Sequence, residues 1–224
     1  CSRWLSGRAK KSYLLRGKAV LSIPNPIDTK VYHPMDQGMA RELLGLPSGK
    51  RLLLFGALNV TDKRKGIDYL IEALRRMEKQ DVELVVFGQV KDDIRGLFPV
   101  PIHSKGYLSD ESKIVALYNA VDMFITSSLE ENLPNTIMES MACGTPCVGF
   151  EIGGIPEMID HRVNGYVANY KDAGDLANGI QWVLEHEDRL ALSDACVKKV
   201  QENYTEEVVA KQYTTLYEKL LKGE

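Results

Sequence analysis

Short apolar runs alternate along the chain with longer segments in which apolar residues recur every three or four positions. Arg51-Leu-Leu-Leu-Phe55 and Val82-Glu-Leu-Val-Val-Phe87 are runs of the first kind, followed by Gly56 and Gly88. A strand covered on both faces needs such a run, because neither side-chain direction meets water. Between them Ile67, Leu70, Ile71, Leu74 and Met77 keep helical spacing under a charged outer face. Strand, helix, strand in that order predicts a right-handed βαβ unit of a parallel sheet. Val121-Asp-Met-Phe-Ile125 and Pro146-Cys-Val-Gly-Phe150 predict two further buried strands, and Val163-Asn-Gly165-Tyr-Val167 a turn and a last strand.

Helices are expected from Met35 to Leu44, stopped by Gly45 and Pro47, and over Ile114, Val115, Leu117 and Tyr118 with Ser109 as N-cap. One more starts near Pro134 and a short one at Pro156. Others carry Leu176, Ile180 and Val183, then Leu190, Cys196, Val197 and Val200, then Val209, Tyr213, Leu216 and Leu220. Residues 1–24 read as a helix followed by a short strand, Ala19-Val-Leu-Ser-Ile23, before Pro24-Asn-Pro26 breaks regular structure. Asp92 to Pro101 reads as loop. The fold class is therefore α/β, a doubly wound, mostly parallel, Rossmann-like sheet, whose ligand belongs beyond the carboxyl ends of the strands.

With 224 residues the chain suits one α/β domain with a substantial core. A net charge of −3 provides no basic field, so nucleic acid is not an expected partner. No apolar run approaches the ~20 residues of a membrane span. Of the four cysteines, Cys143 and Cys147 straddle a helix end and a Gly-Thr-Pro turn without a histidine to complete a zinc site. They read, with Cys1 and Cys196, as small buried thiols of a reducing, cytoplasmic setting. His33, His103, His161 and His186 read as structural.

Candidate chemistry concentrates in Ser128-Leu-Glu-Glu-Asn-Leu-Pro-Asn-Thr-Ile-Met-Glu139 and the Met-Ala-Cys-Gly-Thr-Pro after it. A helix beginning near Pro134 leaves the amides of Leu133, Asn135 and Thr136 unpaired, a setting that favours a phosphate. Glu139 stands at the edge of that helix's apolar face and Glu131 in the loop before it. Two such acids suit sugar hydroxyls, yet acids near a helix start also simply complement its dipole. The second feature is Lys63-Arg-Lys65-Gly66, where three cations crowd another helix start. Lys63 and Arg64 read as a solvated loop.

Glu131-x7-Glu139, the Met-Ala-Cys-Gly-Thr-Pro run and Gly153-Gly154-Ile-Pro-Glu157 together resemble the donor half of GT4-type retaining glycosyltransferases of the GT-B fold. The resemblance covers nearly the whole chain. It implies that residues 35–224 bind a nucleotide-sugar donor of UDP or GDP type, and that residues 1–34 are the tail of a missing N-terminal domain plus a linker. An Ile-Pro-Asn-x-Ile-Asp-like stretch, here Ile23 to Asp28, marks that passage, with Pro26 where the family has glycine. By the same resemblance Lys65 is the phosphate-binding lysine, Glu131 contacts the donor sugar and Glu139 the ribose. Gly56 is the strand glycine beside the donor; Tyr107 either stacks on the base, as the resemblance implies, or covers a helix start. The family's arginine after the strand glycine is here Ala57, so a diphosphate contact must come from elsewhere, Lys63 or Arg64 among the candidates. The acceptor, a saccharide or lipid-linked hydroxyl in polysaccharide biosynthesis, falls to the missing domain. The full-length protein is then compatible with attachment at the inner membrane face. No separate cofactor and no metal are expected, since no Asp-x-Asp holds a divalent ion. Two other readings share these motifs: a non-catalytic nucleotide-sugar binding module and a GT-B nucleotide-sugar epimerase.

Overall fold

A computed structural model describes residues 1–60, 62–77, 81–89 and 95–223, side chains of residues 58 and 95 aside. In chain order its elements are α1 (Arg3–Lys11), α2 (Gln37–Leu44), β1 (Arg51–Asn59), α3 (Ile67–Arg76), β2 (Val82–Gln89), β3 (Ile102–Gly106), α4 (Glu111–Ala120) and β4 (Met123–Thr126). There follow α5 (Asn135–Ala142), β5 (Cys147–Phe150), α6 (Ile155–Met158), β6 (Gly165–Ala168), α7 (Ala173–Leu184), α8 (Arg189–Asn203) and α9 (Glu206–Lys222). The strands form one sheet in the order β3-β2-β1-β4-β5-β6, and every pairing is parallel. The expected doubly wound α/β fold is present.

The period of two explains why the runs are continuous. Leu52 and Leu54 belong to one buried core, with Leu117 of α4, Ile137 and Met141 of α5 and Cys196 of α8. Leu53 and Phe55 belong to the other, with Leu70 of α3 and Leu176 and Ile180 of α7. Both faces of β1 are thus dry. The N-terminal ends of β1 and β4 are joined by a buried charge cluster that the apolar pattern could not announce. Asp122 accepts from Arg41 (3.0 Å), Arg189 (2.6 Å) and the amide of Leu52 (2.7 Å). The Arg41 guanidinium also donates to the carbonyls of Ala120, Ser48 and Lys50. A buried charge pair needs such extra partners to offset its desolvation.

Several expectations are corrected. Ala19–Ile23 forms no strand: β3 and β6 are the sheet's edges, and the segment lies along α9 instead, Leu21 and Ile23 sharing an apolar groove with Leu216 and Leu220. Only Ile27 makes a bridge, to Thr205. Asp110, not Ser109, caps α4, its carboxylate accepting from the amide of Ser112. Leu192, not the exposed Leu190, fills the α8 core position. Ile102–Gly106 is an edge strand where no strand was expected. In the Asp92–Pro101 stretch, residues 92–94 lie outside the described ones, and Arg95–Leu97 is a single 3-10 turn. His103 pairs with Glu83 on the neighbouring strand, in keeping with a structural role. Cys143, Cys147 and Cys196 are buried free thiols and Cys1 is exposed. Among the described residues no helix is long and apolar enough to cross a membrane.

Candidate functional site

The chain runs from β1 outward to β2 and β3, then returns through α4 to set β4 on the other side of β1. At this switch point the carboxyl ends of β1 and β4 part, the usual position for a ligand in such sheets. A cavity of ≈ 370 Å³ opens there, lined by Gly56 and Ala57 of β1, Thr126 and Ser128 at the end of β4, Lys65, Glu131 and the start of α5. Gly56 must be glycine for a packing reason: a Cβ on it would overlap the ring of Phe87.

Two loops are stitched together to place the charged pair. Lys65 ends a 3-10 turn capped by Asp62, and Gly66 turns the chain into α3 with φ of 63°. A Cβ on Gly66 would overlap the carbonyl of Ser127. From the β4 side, the Ser127 hydroxyl donates to the Lys65 carbonyl (3.0 Å) and the Leu129 amide to that of Arg64 (2.7 Å). The next loop rests on the glycine pair. The Gly154 amide donates to the Asn132 carbonyl (2.6 Å), and side chains at Gly153 or Gly154 would strike the carbonyls of Glu131 or Asn132. Gly153-Gly154 thus supports the Glu131 loop from below. The outcome is an ion pair, Lys65 Nζ to Glu131 Oε1 at 2.6 Å, with both side chains largely shielded.

Opposite this pair α5 begins. Pro134 occupies its N-cap and supplies no side-chain bond, so the amides of Asn135 and Thr136 lack helical partners and face the cavity end of the helix. Leu133, Asn135 and Thr136 all line the cavity. Lys65 is the single cation among the described lining residues. Lys63 and Arg64 are exposed and line nothing here, and Arg64 is turned to Asp62 (2.7 Å). Neither substitutes in this structure for an arginine at Ala57.

Glu139 and Tyr107 are not among the lining residues. Glu139 lies one turn along α5 from Asn135, on the same side of the helix. Its Oε2 accepts from the Tyr118 hydroxyl at 2.8 Å. Burial pushes its carboxyl pKa up, the Tyr118 bond pulls it down, and the Glu111 charge adds to the rise. Tyr107 follows β3 and is 60% exposed. The sequence marks Tyr118 only as an apolar position of its helix, because it stands 21 residues before Glu139 at no recognisable spacing. Glu157 also has an occupation that the motif did not suggest. Its carboxylate caps α1, accepting from the amides of Arg3 (2.9 Å) and Trp4 (2.8 Å), while Ser2 donates to the Asn132 side chain. Asn25 in turn donates to the Asn135 side chain at 3.1 Å. Residues 1–28 therefore touch the site at two points.

The model of the family described as "Glycosyl transferases group 1" matches residues 49–186, which include every lining residue named above. The chain belongs to that family. It is 25% identical over 213 residues to the N-acetyl-alpha-D-glucosaminyl L-malate synthase of Bacillus anthracis, covering 92% of this chain and 55% of that protein. A glycosyltransferase structure from Rickettsia africae superposes with a TM-score of 0.85 at 21% identity, over 100% of this chain and 63% of that one. The Anabaena protein Alr3699/HepE, solved in complex with UDP-glucose, superposes with a TM-score of 0.76 at 20% identity, over 91% of this chain and 58% of that one. Likeness at such identities speaks for the fold. This group 1 chain spans about half the length of the curated relatives it matches.

Proposed function

We propose that residues 35–224 are the donor-binding half of a retaining glycosyltransferase, and that residues 1–34 are the end of a preceding domain and its linker. The donor is a UDP- or GDP-type sugar and the acceptor a saccharide or lipid-linked hydroxyl. The observation that carries this reading is the cavity in which Lys65, Glu131 and the unpaired amides of α5 meet. As the bond from the anomeric carbon to the diphosphate breaks, negative charge gathers on the leaving oxygen. The Lys65 ammonium and the amides of Asn135 and Thr136 are fixed where they can neutralise it. A diphosphate must compete with Glu131 for Lys65, so donor entry releases the Glu131 carboxylate toward the sugar hydroxyls. Glu139, one helical turn away, takes the ribose hydroxyls. The UDP-glucose held by the Anabaena protein supports the choice of ligand class.

Calorimetric titration of this chain with UDP, GDP and ADP and with their sugar conjugates tests the reading. Binding of one nucleoside diphosphate is expected, weakened about ten- to a hundredfold in Lys65→Ala, the loss of one charge-assisted hydrogen bond. Lys63→Ala and Arg64→Ala should bind as the wild type does. No binding of any of the three, or full affinity in Lys65→Ala, would sink it.

A further inference from the structure

We propose that Tyr118 is a positioning residue for nucleotide binding: its hydroxyl, 2.8 Å from Glu139 Oε2, holds that carboxylate with Oε1 turned to the ribose hydroxyls. The inference rests on the ribose role given to Glu139 above. Oε1 accepts no bond from the described residues, and no buried side-chain oxygen or nitrogen among them lacks a partner. Oε1 therefore keeps some contact with solvent while Oε2 is held.

Tyr118 is built to hold it. The residue is 1% exposed, and its ring stands edge-on to both Phe87 and Phe124. Its backbone is pinned as well. The Thr145 hydroxyl donates to the Tyr118 carbonyl at 2.8 Å, the Thr145 amide to the Ser140 carbonyl at 2.9 Å, and the Ser140 hydroxyl back to the Thr145 carbonyl at 3.1 Å. The Gly144-Thr145-Pro146 turn thus ties α4 to α5 beside Glu139. This gives that turn a task in the site, although it lines no part of the cavity. A phenylalanine would fill the ring's place equally well, so packing alone does not call for the hydroxyl. Buried, that hydroxyl needs an acceptor, and Glu139 provides a charged one. A carboxylate with a fixed donor on one oxygen keeps a single orientation for the other, which is how a second residue improves a first without touching the ligand.

The test compares the affinity of the nucleoside diphosphate that binds best with that of its 2′,3′-dideoxy counterpart, in wild type, Tyr118→Phe, Glu139→Gln and the double variant. The wild type should prefer the ribose form, and each single variant should reduce that preference, by about tenfold for a lost hydrogen bond to a charged group. Adding Tyr118→Phe to Glu139→Gln should change the preference no further. If Tyr118→Phe keeps the wild-type preference while Glu139→Gln loses it, the positioning role is overturned. If Glu139→Gln keeps it as well, the ribose role of Glu139 fails first, which is a separate result. Should Tyr118→Phe not fold on its own, the double variant is read instead, since Glu139→Gln removes the charge that the lost hydroxyl would strand; a preference in the double below that of Glu139→Gln would overturn the positioning role.

Discussion

Lys65 and Glu131 lie 2.6 Å apart, so a substitution at either changes the charge that the other presents to the cavity. Glu131→Gln leaves Lys65 without its competitor. A free nucleoside diphosphate should then bind about two- to fivefold more tightly, the scale of a partly exposed ion pair. Its sugar conjugate should gain less or lose, because the acceptor for sugar hydroxyls has weakened. Equal shifts for both ligands in a titration would detach Glu131 from the sugar. Glu139 makes a prediction about stability. Its pKa is raised in the fold, by burial first, with Tyr118, Tyr32, Cys143 and Glu111 as titratable neighbours. A folded pKa above the unfolded one means that the native state binds more protons in the window between them. Stability from this group is therefore full below the ordinary glutamate range and is lost as pH rises through the raised value. Glu139→Gln, which can still accept from Tyr118, should remove that loss. Its melting temperature relative to wild type should rise between mildly acidic and neutral pH; a difference that stays flat would contradict the burial cost. Glu131 and Glu139 stand out in the sequence because a compound motif carries them, and Lys65 because a Lys-Gly pair opens a helix. Tyr118 does not, because its partner is 21 residues away and is brought near only by the packing of α4 on α5.

The loops that carry the site depend on glycines that have no room. Gly66 and Gly153 combine φ near 60° with a Cβ position already taken by a carbonyl, of Ser127 and Glu131 respectively. Gly45, which ends α2 at a similar φ, has nothing within 4 Å of its Cβ position. Gly45→Ala should then cost only the left-handed backbone, about 1–2 kcal/mol. Gly66→Ala and Gly153→Ala add a steric clash and should cost about 2–4 kcal/mol. They should also weaken nucleotide binding in the protein that remains folded, since Lys65 or Glu131 moves with the loop. Denaturant melts of the three variants, with titrations of each, check both halves. At this scale the sequence reads well where burial is two-sided and poorly where it is not. β1, β2, β4 and β5 are dry on both faces, and their apolar runs say so. β3 has a neighbour on one side only, and its His103-Ser-Lys105 carries no alternation that marks a strand. Ala19–Ile23 has the composition of a strand, but no sheet edge is offered to it, and its apolar side chains go to α9. Asp110 takes the cap from Ser109 because α4 starts one residue later than the serine suggests.

Across the molecule, the two ends of the sheet have separate tasks. The carboxyl ends of β1 and β4 carry the cavity, and their amino ends carry Asp122 with Arg41 and Arg189. Leu52, which donates to Asp122, and Gly56, which lines the cavity, are four strand residues apart, about 13 Å. Sites so far apart, sharing no partner, should act independently. Asp122 ties α2, β1 and α8 to the start of β4, and its side chain and that of Arg41 are 3% and 7% exposed. Removing it strands the Arg41 charge in the interior and leaves the Leu52 amide without its acceptor. Asp122→Ala should therefore cost about 3–5 kcal/mol, the range for breaking a buried pair from one side. Asp122→Asn keeps an acceptor for Leu52 and should cost less. Neither change reaches the cavity, so whatever fraction stays folded should bind the nucleoside diphosphate with wild-type affinity. In the double variant with Lys65→Ala, the loss of stability should come from Asp122 and the loss of affinity from Lys65, each at its single-variant size. Denaturant melts and titrations on the wild type, each single variant and the double decide this. An affinity change in Asp122→Asn at a temperature where it is fully folded would mean that the sheet transmits strain from one end to the other, and the two ends could no longer be treated as independent.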